Sequence, residues 1–205
     1  MSGIQKGVLS MSYRVISISR QFGSGGHEIS EKLSRALSFP FYDKDLISRA
    51  AKESGLSTEI LESADEHSDN IPEDGEQRPS LALSTSDTLF VTQTKIIRRL
   101  AQHENCIIVG RCSDVILLEE DVQLLRVFIH APLRKRIERI QKLRGLSAQE
   151  AELLIRQSDK QRRTYYSYYT DTQWGIQDNY DISLNSAYWG VEKCVDLLAE
   201  AVQFM

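Results

Sequence analysis

Cysteine is scarce in this chain of 205 residues, and its three thiols, Cys106, Cys112 and Cys194, include no CxxC pair. This usage argues against a disulfide framework and a cysteine-based zinc site, and it predicts free thiols in a reducing compartment. Long apolar runs are also absent, both as membrane spans and as the core of an N-terminal signal peptide. These absences predict a cytoplasmic protein with no membrane partner.

Charge is spread unevenly along the chain, although its formal net value is only −4. Residues 53–76 hold nine acids and no lysine or arginine, whereas residues 126–163 hold eleven basic residues against four acids. The acidic run predicts a solvated surface and loop. The basic segment has two interpretations, exposed helix charges or a site for an anionic ligand. The negative total and the lack of an RNA-binding signature argue against a nucleic-acid partner.

Short apolar runs alternate with amphipathic segments along the chain. They predict strands over residues 15–18, 39–42, 106–109, 124–129 and 180–184, and helices over 28–37, 45–52, 57–66 and 81–103. Further helices are predicted from residue 133, from Ser147 to Arg156 or beyond, and near the C-terminus from residue 191. Apolar strands separated by helices are typical of a parallel sheet covered on both faces. We therefore predict one α/β domain over residues 13–205, preceded by a lead-in of residues 1–12.

A glycine-rich turn, Gly23-Ser24-Gly25-Gly26, separates the first predicted strand from the first helix. Such a turn presents backbone N–H groups at the positive end of a helix dipole, where phosphate groups bind. The lysine and hydroxyl of the pattern G-x-x-x-x-G-K-[ST] are missing in either possible register. Arg20, at the end of the strand, is the nearest residue that could restore the lost charge.

The glycine turn has two other interpretations besides a phosphate cradle. Gly23, Gly25 and Asp43 fit a dinucleotide fingerprint, but Glu28 stands at the third glycine position and would repel a pyrophosphate. A tight turn with no ligand needs fewer glycines than are present here. The phosphate cradle is therefore favoured.

Polar residues also follow the other predicted strands, at the edge where ligands bind in doubly wound sheets. Asp43 follows the second strand, Gly110 and Arg111 follow the third, and His130 follows the fourth. This convergence predicts a binding site at the carboxyl ends of the strands.

Six short segments match the motifs of a known family. They are residues 18–26, 41–47, 108–112, 159–162, 174–175 and 179–181. With these motifs the chain resembles the cytidylate kinase-like family, relatives of bacterial cytidylate kinase among the P-loop nucleoside monophosphate kinases. The resemblance implies a three-layer P-loop NTPase fold with a five-stranded parallel sheet and a helical lid and acceptor region.

The resemblance also implies an activity and a set of site residues. The expected reaction transfers the γ-phosphoryl group of ATP, used with Mg²⁺, to a small nucleotide acceptor, with CMP or dCMP first. The expected donor-phosphate cradle consists of Gly23, Ser24, Gly25, Gly26 and His27. The expected catalytic cations are Arg20, Arg136 and Arg139, and the expected acceptor-site residues are Asp43, Arg49, Arg111 and Arg162. No residue is assigned as a metal ligand.

Departures from the family pattern keep two alternatives open. The P-loop lysine is absent, Gln161 replaces an acid that helps recognise the nucleotide, and His130 replaces an aspartate. A nucleotide-binding sensor or scaffold without turnover is one alternative, and a kinase of a non-nucleotide metabolite is the other. The tyrosines at positions 165, 166, 168 and 169 fit either base stacking or, preferably, core packing.

Overall fold

Strands and helices alternate in the computed structural model, which describes residues 12–43 and 85–205. The predicted helices over 45–52 and 57–66, and Arg49 with them, lie outside the described residues. Numbered along the described chain, the strands are β1 (Arg14–Arg20), β2 (Phe41–Tyr42), β3 (Cys106–Val109), β4 (Gln123–His130) and β5 (Ile182–Asn185). The helices are α1 (Gly26–Leu37), α2 (Thr85–Ala101), α3 (Ser113–Ile116), α4 (Leu133–Arg144), α5 (Ala148–Thr170) and α6 (Ser186–Val202).

All five strands belong to one parallel sheet, in the order β2-β3-β1-β4-β5. β1 is central, with Ile16 opposite Ile107 on one side and Leu125 on the other. β2 and β3 lie on one side of β1, and after β3 the chain crosses to β4 on the other side of β1. The carboxyl end of β1 therefore lies at the switch in strand order, where open α/β sheets bind ligands. The predicted five-stranded parallel sheet is confirmed.

Helices cover both faces of the sheet because successive strand residues point to opposite sides. Ile16 and Ile18 of β1 belong to a core with α1 and α6, whereas Val15 belongs to a second core with α2, α3 and α5. A third, smaller cluster joins α4 to α5 and includes Phe22, the residue directly before the glycine turn. The turn is therefore supported by helices as well as by the sheet.

The element boundaries differ from the predictions in ways that bear on the site. β1 runs two residues further than predicted, so that Arg20 is its last residue, and α1 begins at Gly26. The short helix α3 was not predicted, and α5 extends from its Ser147 cap to Thr170. α6 is interrupted at Gly190, where φ is 75° and ψ is 165°. Among the described residues, none of the helices combines the length and apolarity that a membrane crossing needs.

Candidate phosphate-binding site

The glycine turn has the backbone that its sequence predicts. Gly23 and Gly25 have φ angles of 78° and 83°, in the left-handed region that glycine tolerates and that strains other residues. Gly25 is the N-terminal cap of α1 and offers no side chain to the first N–H groups of the helix. Ser24 is buried, and its hydroxyl donates to the Gln21 carbonyl, 2.8 Å away. The side chain of Ser24 therefore holds the turn, while the start of α1 presents backbone donors.

A buried ion pair supports the turn from behind. Asp159 of α5 accepts a hydrogen bond from the Phe22 N–H at 2.8 Å, and Arg136 of α4 donates to the Phe22 carbonyl at 3.2 Å. The two side chains meet at 2.5 Å, and Arg136 also donates to the Ala131 carbonyl. Both residues are less than one-tenth exposed. These contacts fix the backbone immediately before Gly23.

Arg139 lies at the mouth of the glycine turn. Its guanidinium carbon is 3.4 Å from the place where a Cβ on Gly25 would stand. The Arg139 guanidinium forms an ion pair with Glu28 in the first turn of α1, and Lys32 approaches the same carboxylate at 3.2 Å. The hydrogen bond from Arg139 holds the pKa of Glu28 below its usual range. The negatively charged carboxylate of Glu28 is therefore paired with Arg139 next to the predicted phosphate cradle.

Arg20 crosses the start of α1 instead of pointing away from the sheet. Its Cβ and Cγ lie against Gly26, and its guanidinium reaches Gly110 at the end of β3. The Arg20 carbonyl accepts a hydrogen bond from Arg162 of α5 at 2.7 Å. Arg20 thus connects the glycine turn to the end of the neighbouring strand.

Beside the turn, a cavity of about 220 Å³ opens between the ends of β1 and β3 and the side of α5. Three guanidinium groups, those of Arg20, Arg111 and Arg162, line it together with the aromatic rings of Tyr165 and Trp174. We call this cavity the arginine pocket. The charges of Arg162 and Arg111 act on Arg20, and Asp43 is the carboxylate that opposes them there. The pocket therefore concentrates positive charge that an anion would neutralise.

The pKa of Arg20 reflects its burial and this concentration of charge. Burial, the largest cause, and the neighbouring charges of Arg162 and Arg111 together lower the pKa of Arg20 to about 9, while Asp43 acts in the opposite direction. Burial is also the main cause that lowers the pKa of Arg162. Arg20 remains protonated at neutral pH, but its charge is held at a free-energy cost that a bound anion would relieve.

Arg111 is placed by an uncommon backbone conformation. Gly110, Arg111 and Cys112 have consecutive φ angles of 76°, 57° and 55°. Left-handed conformations of residues other than glycine cost about 1–3 kcal/mol each and are concentrated at functional sites. The segment is anchored by a buried hydrogen bond between the Ser113 and Ser17 hydroxyls, 2.6 Å apart. As a result, the Arg111 guanidinium lies 5.2 Å from the centre of the Tyr165 ring.

The remaining residues predicted for the site occupy different environments. His27 is exposed, with its ring packed edge-on against Phe41 and its Nε2 atom 3.6 Å from Glu31. Asp43 follows β2 and is close enough to Arg20 to raise its pKa. Arg136 lies behind the turn and Arg139 at its mouth, whereas Arg49 falls outside the described residues. The roles of all these residues remain predictions.

Three contributors to the site were not singled out from the sequence. In the sequence, Asp159 stands out only as part of a motif, Glu28 only as an obstacle to a pyrophosphate, and Ser186 not at all. The Ser186 hydroxyl lies 2.5 Å from the Ser24 carbonyl and 3.1 Å from the His130 carbonyl, so it links the turn to β4. The position of Ser186 directly after the last strand was the available signal. Its partners could not be found without the tertiary structure.

Solved structures share the arrangement of sheet, turn and helices. An uncharacterised protein from Eubacterium ventriosum matches with a TM-score of 0.72 and 24% identity, over 93% of this chain and 98% of that one. A shikimate kinase from Bacteroides thetaiotaomicron matches with a TM-score of 0.53 and 18% identity, over the same shares of the two chains. At these identities the likeness concerns the fold. Together with the glycine turn, it assigns the chain to the three-layer P-loop NTPase fold.

Sequence comparison assigns the family within that class. The family model described as "Cytidylate kinase-like family" matches residues 15–188, and the chain belongs to this family. A cytidylate kinase from Pyrococcus horikoshii is 26% identical over 196 residues, which cover 93% of this chain and 89% of that protein. A cytidylate kinase from Thermococcus sibiricus is also 26% identical, over 96% of this chain and 92% of its own length. The resemblance predicted from the motifs is confirmed.

Proposed function

We propose that this protein transfers the γ-phosphoryl group of ATP to a nucleoside monophosphate, with CMP or dCMP as the first candidates. The observation that carries the proposal is the arginine pocket, because three cationic side chains converge beside a phosphate-binding turn. The relatives called cytidylate kinases support the choice of acceptor. The two anion sites correspond to the two phosphate groups that such a reaction must bring together.

The proposed roles follow from the position of each residue. The backbone N–H groups of the glycine turn and the start of α1 bind the donor phosphates, and Arg139 approaches them at the mouth of the turn. Arg111 and Arg162 bind the acceptor phosphate in the arginine pocket, where guanidinium groups can form paired hydrogen bonds. Arg20 lies between the proposed positions of the donor and the acceptor phosphates. Phosphoryl transfer requires little covalent chemistry from the protein beyond this positioning and charge neutralisation.

Arg136 receives a positioning role in the proposal. Its guanidinium donates hydrogen bonds to two backbone carbonyls and to Asp159. Arg136 therefore acts on the phosphates through the conformation of the turn. Tyr165 packs between Arg111 and α2, where its ring forms one wall of the arginine pocket. A base could stack on such a ring.

Mg²⁺ accompanies ATP in the proposed reaction and supplies positive charge to the transferring phosphates. No group of three potential metal-ligating side chains occurs among the described residues. Magnesium at phosphate-transfer sites is usually held by one or two carboxylates together with substrate phosphates and water. Asp43, at the end of β2 near Arg20, fits that limited requirement.

The experiment that tests the proposal is ADP release from ATP with Mg²⁺, in the presence of CMP, dCMP, UMP, AMP or GMP. We expect acceptor-dependent turnover of at least about 1 s⁻¹ with a cytidine nucleotide, within the ordinary range of kinases. A control without acceptor measures ATP hydrolysis, and a parallel titration measures ATP binding. ATP binding without turnover on any nucleotide would favour a sensor or a kinase of another metabolite. Failure to bind ATP would contradict the phosphate cradle itself.

A further inference from the structure

Two glycines leave room for the side chain of Arg20. A Cβ on Gly26 would lie 2.6 Å from the Arg20 Cβ and 2.9 Å from its Cγ, well inside the separation at which carbon atoms pack. A Cβ on Gly110 would overlap the Arg20 guanidinium. The arginine therefore passes over one glycine and ends against the other.

The contact at Gly26 cannot be relieved by a change of rotamer. The Cβ of Arg20 is fixed by the backbone of β1, which is hydrogen-bonded to β3 on one side and β4 on the other. The next atom near Gly26 is the Ile129 Cβ at 3.4 Å, an ordinary packing distance. Arg20 is thus the closest obstacle to a side chain at position 26.

Gly26 is not required by its own backbone. Its φ angle is not in the left-handed region, unlike those of Gly23 and Gly25, and it is the first residue of α1. At such a helical position alanine is normally more stable than glycine. The reason for glycine here is therefore the neighbouring side chain.

We propose that Arg20 and a side chain at position 26 exclude one another, and that Arg20, entering from the end of β1, is the cation of this phosphate site. A lysine in the first turn of α1 would need the volume that the Arg20 Cβ and Cγ fill. This exclusion accounts for the absence of the lysine from the turn. The inference rests on the proposed function only for the nature of the anion, a phosphate group held between the glycine turn and the arginine pocket.

The steric part is tested by a double-mutant cycle on thermal stability, which needs no substrate. Gly26→Ala in the wild-type background should lower Tm by on the order of 5 °C, as expected for overpacking. In an Arg20→Gly background, which also removes the Cβ atom, the same substitution should leave Tm unchanged or raise it. Arg14→Ala, at the opposite end of β1, is the matched control and should not remove the penalty. An equal loss of Tm in all three backgrounds would overturn the proposal.

The electrostatic part is tested by titration with inorganic pyrophosphate. Arg20→Ala should weaken binding at least about tenfold, the usual effect of losing a charge-assisted hydrogen bond. Arg20→Gly combined with Gly26→Lys should bind pyrophosphate more tightly than Arg20→Gly alone, because without a Cβ at position 20 the lysine has room at the turn. Wild-type affinity in the Arg20→Ala protein, or wild-type Tm in the Gly26→Lys protein, would refute the proposal.

These results separate the inference from the proposed function. A coupled stability cycle and weakened pyrophosphate binding would support the inference even if no nucleoside monophosphate accepts phosphate. Acceptor-dependent ADP release with an uncoupled cycle would retain the kinase and reject the exclusion.

Discussion

Arginine behaves differently on the two sides of the glycine turn. Behind the turn, Arg136 is buried against Asp159 and two carbonyl groups. In the arginine pocket, Arg20, Arg111 and Arg162 line one cavity, and the charges of Arg111 and Arg162 lower the pKa of Arg20. The basic segment, residues 126–163, therefore contributes both Arg136, which is paired behind the turn, and Arg162, which lines the arginine pocket.

The contrast shows how one residue type serves two purposes. A buried guanidinium with all its partners in place holds backbone rigidly, and its loss leaves unpaired groups in the interior. Burial, and after it the charges of Arg162 and Arg111, lower the pKa of Arg20, and buried guanidinium groups clustered in this way gain most from an added anion. The first arrangement stabilises the fold, and the second prepares the site.

The largest expected effect comes from breaking the buried pair. Asp159→Asn should reduce the free energy of unfolding by about 3–5 kcal/mol, because it leaves the Arg136 charge buried without a counter-ion. Urea denaturation monitored by circular dichroism measures the change. Glu152→Gln on the same helix removes an exposed pair with Arg156 and should change stability by less than about 1 kcal/mol. Equal effects of the two substitutions would mean that the buried pair is not structural.

Removing a charge from the arginine pocket should affect catalysis and spare the fold. Arg111→Gln should lower acceptor-dependent kcat/KM by roughly 10²–10³-fold, in line with loss of one preorganised group that stabilises developing charge. Its unfolding midpoint and its ATP affinity should remain close to those of the wild type. Arg156→Gln, on the exposed side of α5, serves as the control for a change of net charge. Unchanged kinetics in Arg111→Gln would remove Arg111 from the acceptor site.

Asp114 shows what burial does to a carboxylate that lacks an arginine partner. It accepts a hydrogen bond from Tyr166 at 2.9 Å, while its Oδ1 atom has no partner among the described residues. Burial raises its pKa to about 6. Between the unfolded pKa of about 4 and this value, the folded state binds a proton that the unfolded state has lost, so stability falls as pH rises.

The substitution Asp114→Asn should remove that pH dependence. Relative to the wild type, the variant should gain up to about 3 kcal/mol of stability as pH rises from about 4 to 7. Urea denaturation at several pH values measures the difference. A constant difference across this range would mean that Asp114 titrates equally in both states.

The smallest effect is expected at Glu28, where the two kinds of arginine environment meet. Glu28 forms an ion pair with Arg139 at the mouth of the turn, so a bound phosphate must compete with this carboxylate for the Arg139 guanidinium. Glu28→Gln should strengthen pyrophosphate binding about two- to fivefold, as expected for one partly exposed charge near a helix N-terminus. Glu31→Gln, one turn further along α1, is the matched control. Weaker binding in Glu28→Gln would indicate that Glu28 assists the ligand.

Much of the fold was accessible from the sequence because it depends on local patterns. Residues 106–109 are apolar throughout, and the structure places them in β3, buried between β1 and β2. Ser147 was predicted to cap a helix, and it forms a capping box with Glu150. The short helix α3 was missed because its four residues follow an irregular left-handed segment and not a periodic pattern.

The candidate site was less accessible because its contacts join distant parts of the chain. Arg136 and Arg139 lie three residues apart on α4, yet one is buried behind the turn and the other reaches its mouth. Residue spacing cannot separate these two environments, since both depend on how α4 packs against α5 and α1. The roles of Asp43, Arg49, Arg111 and Arg162 at an acceptor site stay predictions.

By itself, the sequence determined the family, the parallel sheet and the position of the glycine turn. These follow from hydrophobic periodicity and from glycines whose conformations few other residues tolerate. Only the tertiary structure decided which arginines are structural and why Gly26 has no side chain. The reason is that charge pairing and steric exclusion depend on distances across the sheet: Arg20 and Gly26 are near in sequence, but their contact exists only because β1 and α1 are fixed by the strands and helices around them.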